Sequence, residues 1–164
     1  MTEVNPFNRI PKTEDPGNRL TMIAQVGLVV SDLDKVMRAL ENMLGVKPDR
    51  LAIVHPNSGK YRGQDADYQA RIAWYGFANI ELEFIQPLSG ESIWSDHLKE
   101  NNTALHHIRF NVKDYEAAVR GFANHGMPVY QSGKVALDPR FKWAYFDSEP
   151  VLGFVAEILS KTED

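Results

Sequence analysis

One stretch of this chain is written twice. Residues 25–38 (QVGLVVSDLDKVMR) recur as residues 107–120 (HIRFNVKDYEAAVR), at a constant offset of 82 residues. The offset sets Gln25 against His107, Val30 against Val112, Asp32 against Asp114 and Arg38 against Arg120. Each copy reads as an apolar strand, a polar turn and an amphipathic helix. Self-similarity at a fixed spacing marks a duplicated structural unit, and two copies make a two-module domain rather than a solenoid. Polar groups at matching positions of the two modules can then converge on one central site.

Size and charge narrow the possibilities. A chain of 164 residues fits one domain, or two fused halves sharing a core, with enough length to bury a substantial interior. The net charge is -4 and there is no run of Lys or Arg, so the footprint of a nucleic-acid or anionic-membrane binder is missing. Small molecules are the expected partners. No apolar run approaches the roughly 20 residues that span a bilayer, and the opening MTEVNP has neither the basic nor the apolar region of a signal peptide; a cytoplasmic location is expected. The absence of cysteine excludes disulfides, thiolate catalysis and Cys-ligated metals. Any metal must be held by His, Asp, Glu or Gln.

Periodicity divides the chain into an arm over 1–20, rich in Asn, Pro, Thr and Gly, and a single domain over 21–160. Module one (22–88) begins with an apolar strand from Met22 to Val30. Ser31 and Asp34 read as a capping box for a helix whose apolar face is Leu33, Val36, Met37, Leu40 and Leu44, stopped by Gly45. A strand over Leu51–Val54 precedes a polar loop from His55 that is expected to cover a pocket. Two strands, Gln69–Phe77 and Ile80–Ile85, form a hairpin. A linker helix falls within 89–103. Module two (104–160) repeats the order: strand Leu105–Val112, helix Tyr115–His125, and strands at Pro128–Gln131, Phe141–Phe146 and Leu152–Leu159.

Strand, helix, strand, strand, strand, taken twice, resembles the vicinal oxygen chelate superfamily, which includes glyoxalase I, methylmalonyl-CoA epimerase, extradiol dioxygenases and bleomycin-resistance proteins. The resemblance covers about residues 22–160. Its most specific stretches are Glu83 to Trp94 (EFIQPLSGESIW), Leu98 to Asp114 with the pair His106-His107, and Phe146 to Glu157, and they are most similar to the epimerases. It implies an α+β fold, two tandem βαβββ modules forming a curved, partly open mixed sheet around a central cleft.

In that superfamily the first and last strands of each module each supply one metal ligand. The resemblance therefore implies Gln25, Glu83, His107 and Glu157 as ligands of one divalent ion, Zn, Co, Ni or Mn, a donor set that suits such ions. Epimerases of bacteria usually carry His at the first position; Gln, Glu, His, Glu is the set of eukaryotic glyoxalase I. The chemistry implied is abstraction of a proton alpha to a carbonyl or thioester. Glu157 would double as acid/base and Glu83 would be its counterpart. The separate Glu that epimerases place on a middle strand of module one has no equivalent between Gln69 and Tyr75.

Strand alternation lets only one of His106 and His107 face the cleft; the repeat selects His107 and leaves His106 outward or structural. Arg109 shares the face of His107 and is a candidate to hold a substrate carboxylate or phosphate, while Glu81, nearer the hairpin, reads as solvated. A lactoylglutathione lyase of the glyoxalase I type, or a metal-free binding or resistance protein of the same fold, are the alternatives. An acyl-CoA or other carbonyl compound is the expected substrate, and a homodimer is expected because the exposed strand edges need cover.

Overall fold

The computed structural model describes Leu20, residues 22–135 and residues 138–161. The arm assigned to 1–20 thus lies outside the described residues except for Leu20, which packs against the core of the second half. In chain order the elements are β1 (Ile23–Val29), α1 (Leu33–Leu44), β2 (Arg50–Val54), β3 (Lys60–Tyr61), β4 (Gln64–Asp65), β5 (Tyr68–Gly76), β6 (Glu81–Gly90) and α2 (Ile93–Asn101). The second half continues with β7 (Ala104–Asn111), α3 (Tyr115–Asn124), β8 (Val129–Lys134), β9 (Phe141–Phe146), α4 (Glu149–Leu152) and β10 (Val155–Lys161).

The ten strands form one curled, partly open mixed sheet in the order β2-β5-β6-β1-β7-β10-β9-β8-β3-β4. The first strands of the two repeats, β1 and β7, lie antiparallel at its centre. Each is flanked in parallel by the last strand of its own half, β6 beside β1 and β10 beside β7. This is the α+β architecture that the resemblance implies.

The repeat extends to the helix caps. Asp32 and Asp114, equivalent in the two copies, each accept a hydrogen bond from the backbone N–H three residues on, Lys35 and Ala117, both at 2.9 Å. The N-cap of α1 is therefore Asp32 and not Ser31, whose hydroxyl instead meets Thr103 Oγ1 at 3.3 Å. An Asp carboxylate is both a good acceptor for the free N–H groups of a first turn and favourably placed on the helix dipole. Gly45 ends α1 at φ 67°, in the left-handed region.

Alternation sorts the strands into two faces. On the convex side α1 lies over Val30, Ala73, Tyr75 and Phe84, and α3 over Ala144, Phe146, Ala156 and Ile158, with Phe122 stacked on Phe146 at 4.0 Å. Leu44, counted on the apolar face of α1, is exposed. The concave side is filled at one end by Val29, Ile72, Ile85, Tyr145 and Val155, closed over by Ile93 and Trp94 of α2. One step further along the same strands the side chains are polar, and there the candidate site lies.

Two further segments differ from expectation. The segment after His55 is not simply a covering loop: β3 and β4 form a hairpin that pairs with β8 of the other half. Arg62 of that hairpin contacts Asp96 of α2 and the hydroxyl of Tyr130, and the Tyr61 hydroxyl donates to Asp96. The last strand begins at Val155 because Glu149–Leu152 coils into the single turn of α4, with Pro150 in its first turn and Gly153 closing it at φ 75°.

Candidate functional site

Two neighbouring rows of residues on the concave face build the site. Across β6, β1, β7 and β10, one row runs Glu81, Gln25, Arg109, Glu157; the next runs Glu83, Gly27, His107, Val155. Gly27 carries no side chain, and the His107 ring lies over it. From there Nε2 reaches Gln25 Oε1 at 3.2 Å, Glu157 Oε2 at 3.1 Å and Glu83 Oε2 at 3.3 Å. The four residues implied as ligands are thus brought together. Gln25 and His107 are fully buried, Glu157 and Glu83 nearly so.

Partners around this cluster orient it. Gln25 Nε2 donates to Glu81 Oε1 at 2.6 Å, which turns the amide oxygen toward His107. Glu81, expected to be solvated, is instead partly buried and contacted by Arg50 and Arg109, each at 3.5 Å. Trp74 Nε1 donates to Glu83 Oε1 at 2.6 Å, leaving Oε2 for His107. Arg109 does lie on the face of His107, but its guanidinium faces Glu81 at the margin of the cluster. The sequence reading gives neither Glu81, placed in solvent, nor Trp74, placed in the core or pocket wall, these partners; the signals for them are the position two residues before Glu83 and the position opposite Glu83 on the hairpin.

His106 departs from the alternation rule. Gly27 pairs with His107 and Leu28 with Leu105, so His106 is the extra residue of a β-bulge. A bulge breaks the strict two-residue period, and both imidazoles are buried, with their Nδ1 atoms 3.0 Å apart. His106 does not face outward.

Electrostatics separate the two rings. Burial alone pushes His107 down, but the Glu157 carboxylate, with Glu83, overrides it and holds the imidazole up at about 9. Burial, reinforced by His107 and His97, holds His106 well below the usual histidine range. Burial and then the same two carboxylates push the Tyr145 phenol, whose ring packs 5.0 Å from His107, well above its ordinary value.

The donors match a divalent ion in kind. Among the described residues no three His, Asp or Glu side chains are arrayed as an open metal centre; the imidazole closes directly on its neighbours. Yet one N–H serves one acceptor well, and here it is aligned with Gln25 while two carboxylates compete beside it. Glu157 Oε2 is buried without an aligned hydrogen bond, a costly state for an anionic oxygen. Donors sharing one ion at about 2.0–2.2 Å stand about 2.8–3.6 Å apart, from octahedral to tetrahedral geometry, and the 3.1–3.3 Å separations from Nε2 fall in that range. One His, one amide and two carboxylates would neutralise a doubly charged ion, so the residues fit the group.

A model of the Glyoxalase/Bleomycin resistance protein/Dioxygenase superfamily matches residues 24–145. Among curated proteins no sequence matches the chain. Similar solved structures include methylmalonyl-CoA epimerase from Mycobacterium tuberculosis, 16% identical over 87% of this chain and 89% of that one, TM-score 0.59. A variant of the Streptomyces coelicolor methylmalonyl-CoA epimerase in complex with 2-nitronate-propionyl-CoA is 16% identical over 85% and 93%, TM-score 0.63. A hypothetical protein from Bacillus halodurans is 19% identical over 87% and 95%, TM-score 0.60. At these identities the likeness is one of fold.

Proposed function

The chain belongs to the glyoxalase/bleomycin resistance/dioxygenase superfamily, and from that premise we propose that it is a divalent-metal-dependent enzyme that removes and returns a proton alpha to a carbonyl or thioester. The observation that carries this reading is the convergence of Gln25, Glu83, His107 and Glu157 within 3.3 Å of one imidazole nitrogen. Fold neighbours that bind acyl-CoA compounds make an acyl-CoA thioester the first substrate class to test.

A divalent ion held by these four side chains supplies Lewis-acid stabilisation of the charge that develops on a carbonyl oxygen as the adjacent carbon loses its proton. The chain supplies the rest. Glu157, whose Oε2 has no aligned hydrogen-bond donor, is the carboxylate assigned to take the proton. Glu83, separated from Glu157 by the two strands β1 and β7, has one oxygen held by Trp74 and is the counterpart that can deliver a proton from the other side. Glu81 fixes the amide of Gln25 so that its oxygen faces the centre. Ile93 and Trp94 of α2 close one end of the cleft with apolar surface, which excludes water and strengthens every charge interaction inside. Arg109 and Arg50, held by Glu81 beside the cluster, are the cations nearest an anionic substrate group.

Exchange of alpha protons for solvent deuterium on acyl-CoA thioesters tests this. Wild type is expected to exchange, and Glu157→Gln to lose about a hundredfold or more in rate. Unchanged exchange in that variant contradicts the assignment. A metal-free binding protein is the second reading, favoured by one observation: the imidazole already touches both carboxylates and, when protonated, offsets part of their charge without an ion.

A further inference from the structure

Beside the β7 bulge, α2, α4 and the start of β10 line a partly open cavity of about 180 Å³. His97 and His106 both line it, both are at least nine-tenths buried, and the Nε2 atom of each is buried without a partner. None of the four candidate ligands lines it.

The hydrogen positions on these rings follow from their other contacts. His107 Nε2 is engaged by Gln25 and the carboxylates, and whether a proton or a divalent ion balances their charge, Nδ1 keeps its hydrogen. That hydrogen points to His106 Nδ1, 3.0 Å away, which must accept; His106 therefore carries its hydrogen on Nε2. His97 Nδ1 lies 3.3 Å from the amide nitrogen of Asn101, a donor, so His97 likewise carries its hydrogen on Nε2. The cavity thus holds two buried N–H donors with nothing to receive them. Buried donors without acceptors are rare in folded proteins, and with their lone pairs turned away these rings do not form a metal site.

The rim has the opposite sense. Asp96 is neutralised by Arg62, but Glu100, Asp147 and Glu149 also line the cavity and no Lys or Arg does. We infer that this cavity binds a small organic cation whose ammonium group lies beside a hydrogen-bond acceptor such as an amide carbonyl. The acceptor meets His97 and His106, and the ammonium meets Glu149 and Glu100.

The test titrates the full chain, with chelator present so that the result is independent of any metal, and follows the imidazole N–H signals of His97 and His106 by NMR. Glycinamide, which has both features, is expected to move both signals saturably. Acetamide (acceptor only) and ethylammonium (charge only) are expected to bind at least about tenfold more weakly. The surface double variant E100Q/E149Q is expected to weaken glycinamide by a similar factor and leave acetamide unchanged. No saturable change, meaning that water alone fills the cavity, or glycinamide binding indifferent to E100Q/E149Q, would overturn the proposal.

Discussion

The His107 ring occupies the space that a side chain at Gly27 would need: a Cβ built there would fall 1.8 Å from Cε1 and 2.3 Å from each ring nitrogen. The glycine is required by close approach and not by backbone conformation. Gly27→Ala is expected to push the imidazole off its carboxylates, with a stability loss of about 1–3 kcal/mol from overpacking and loss of metal retention. Thermal unfolding and metal titration check both; an alanine variant that binds metal like wild type contradicts the placement of the ring.

Glu81 acts through Gln25. Glu81→Ala frees the amide to turn its nitrogen toward the centre, and metal affinity is expected to fall about 10–100-fold, the usual cost of losing a group that orients a ligand. Glu81→Gln, which keeps an acceptor, is expected to recover most of it. Equal losses in both variants would mean that charge, and not orientation, is what Glu81 provides.

Opposed shifts on neighbouring histidines give the metal-free protein a stability maximum. His107 is held at about 9 when folded against about 6.5 unfolded. Its contribution is complete below about 6.5 and is lost as pH rises through about 9. His106 is held well below its ordinary value, so its contribution is present above about 6.5 and is lost as pH falls. Melting temperature in chelator is therefore expected to peak near pH 6.5, and His106→Gln to flatten the acid limb. Metal must displace the His107 proton, so its affinity is expected to rise with pH up to about 9. A melting curve that climbs steadily from pH 6.5 to 9 in chelator counts against the His107 assignment.

Strand β2 is one edge of the sheet, and Leu51 and Ile53 on it are about half exposed. Unpaired, apolar edges invite a partner. A homodimer is expected in light scattering, and Leu51→Lys with Ile53→Lys is expected to yield monomer; a monomeric wild type removes the expectation.

Much of this was legible in sequence because duplication leaves a register. Asp32 and Asp114 mark equivalent positions at the two helix starts, although the capping box reads as Ser31, one residue early, and Gln25 and His107 mark equivalent strand positions that meet at 3.2 Å. What sequence missed were departures from period. The bulge at His106 adds a residue to one strand only, which alternation has no means to anticipate. The hairpin at Lys60–Asp65 pairs with β8, some 70 residues later (Tyr61 with Gln131), and two-residue strands carry no periodic signal. Glu81 looks solvated in sequence because neighbours from β1, β2 and β7 surround it only after the sheet curls.

Metal content measured on protein purified without chelator or affinity-tag metal tests the central claim most directly, alongside Glu157→Gln and His107→Ala. About one equivalent of Zn, Co, Ni or Mn in wild type, lost in both variants, is the expected result. A wild type that stays metal-free even after metal is added back would contradict the enzyme mechanism and leave the closed His107–carboxylate cluster as part of a binding protein.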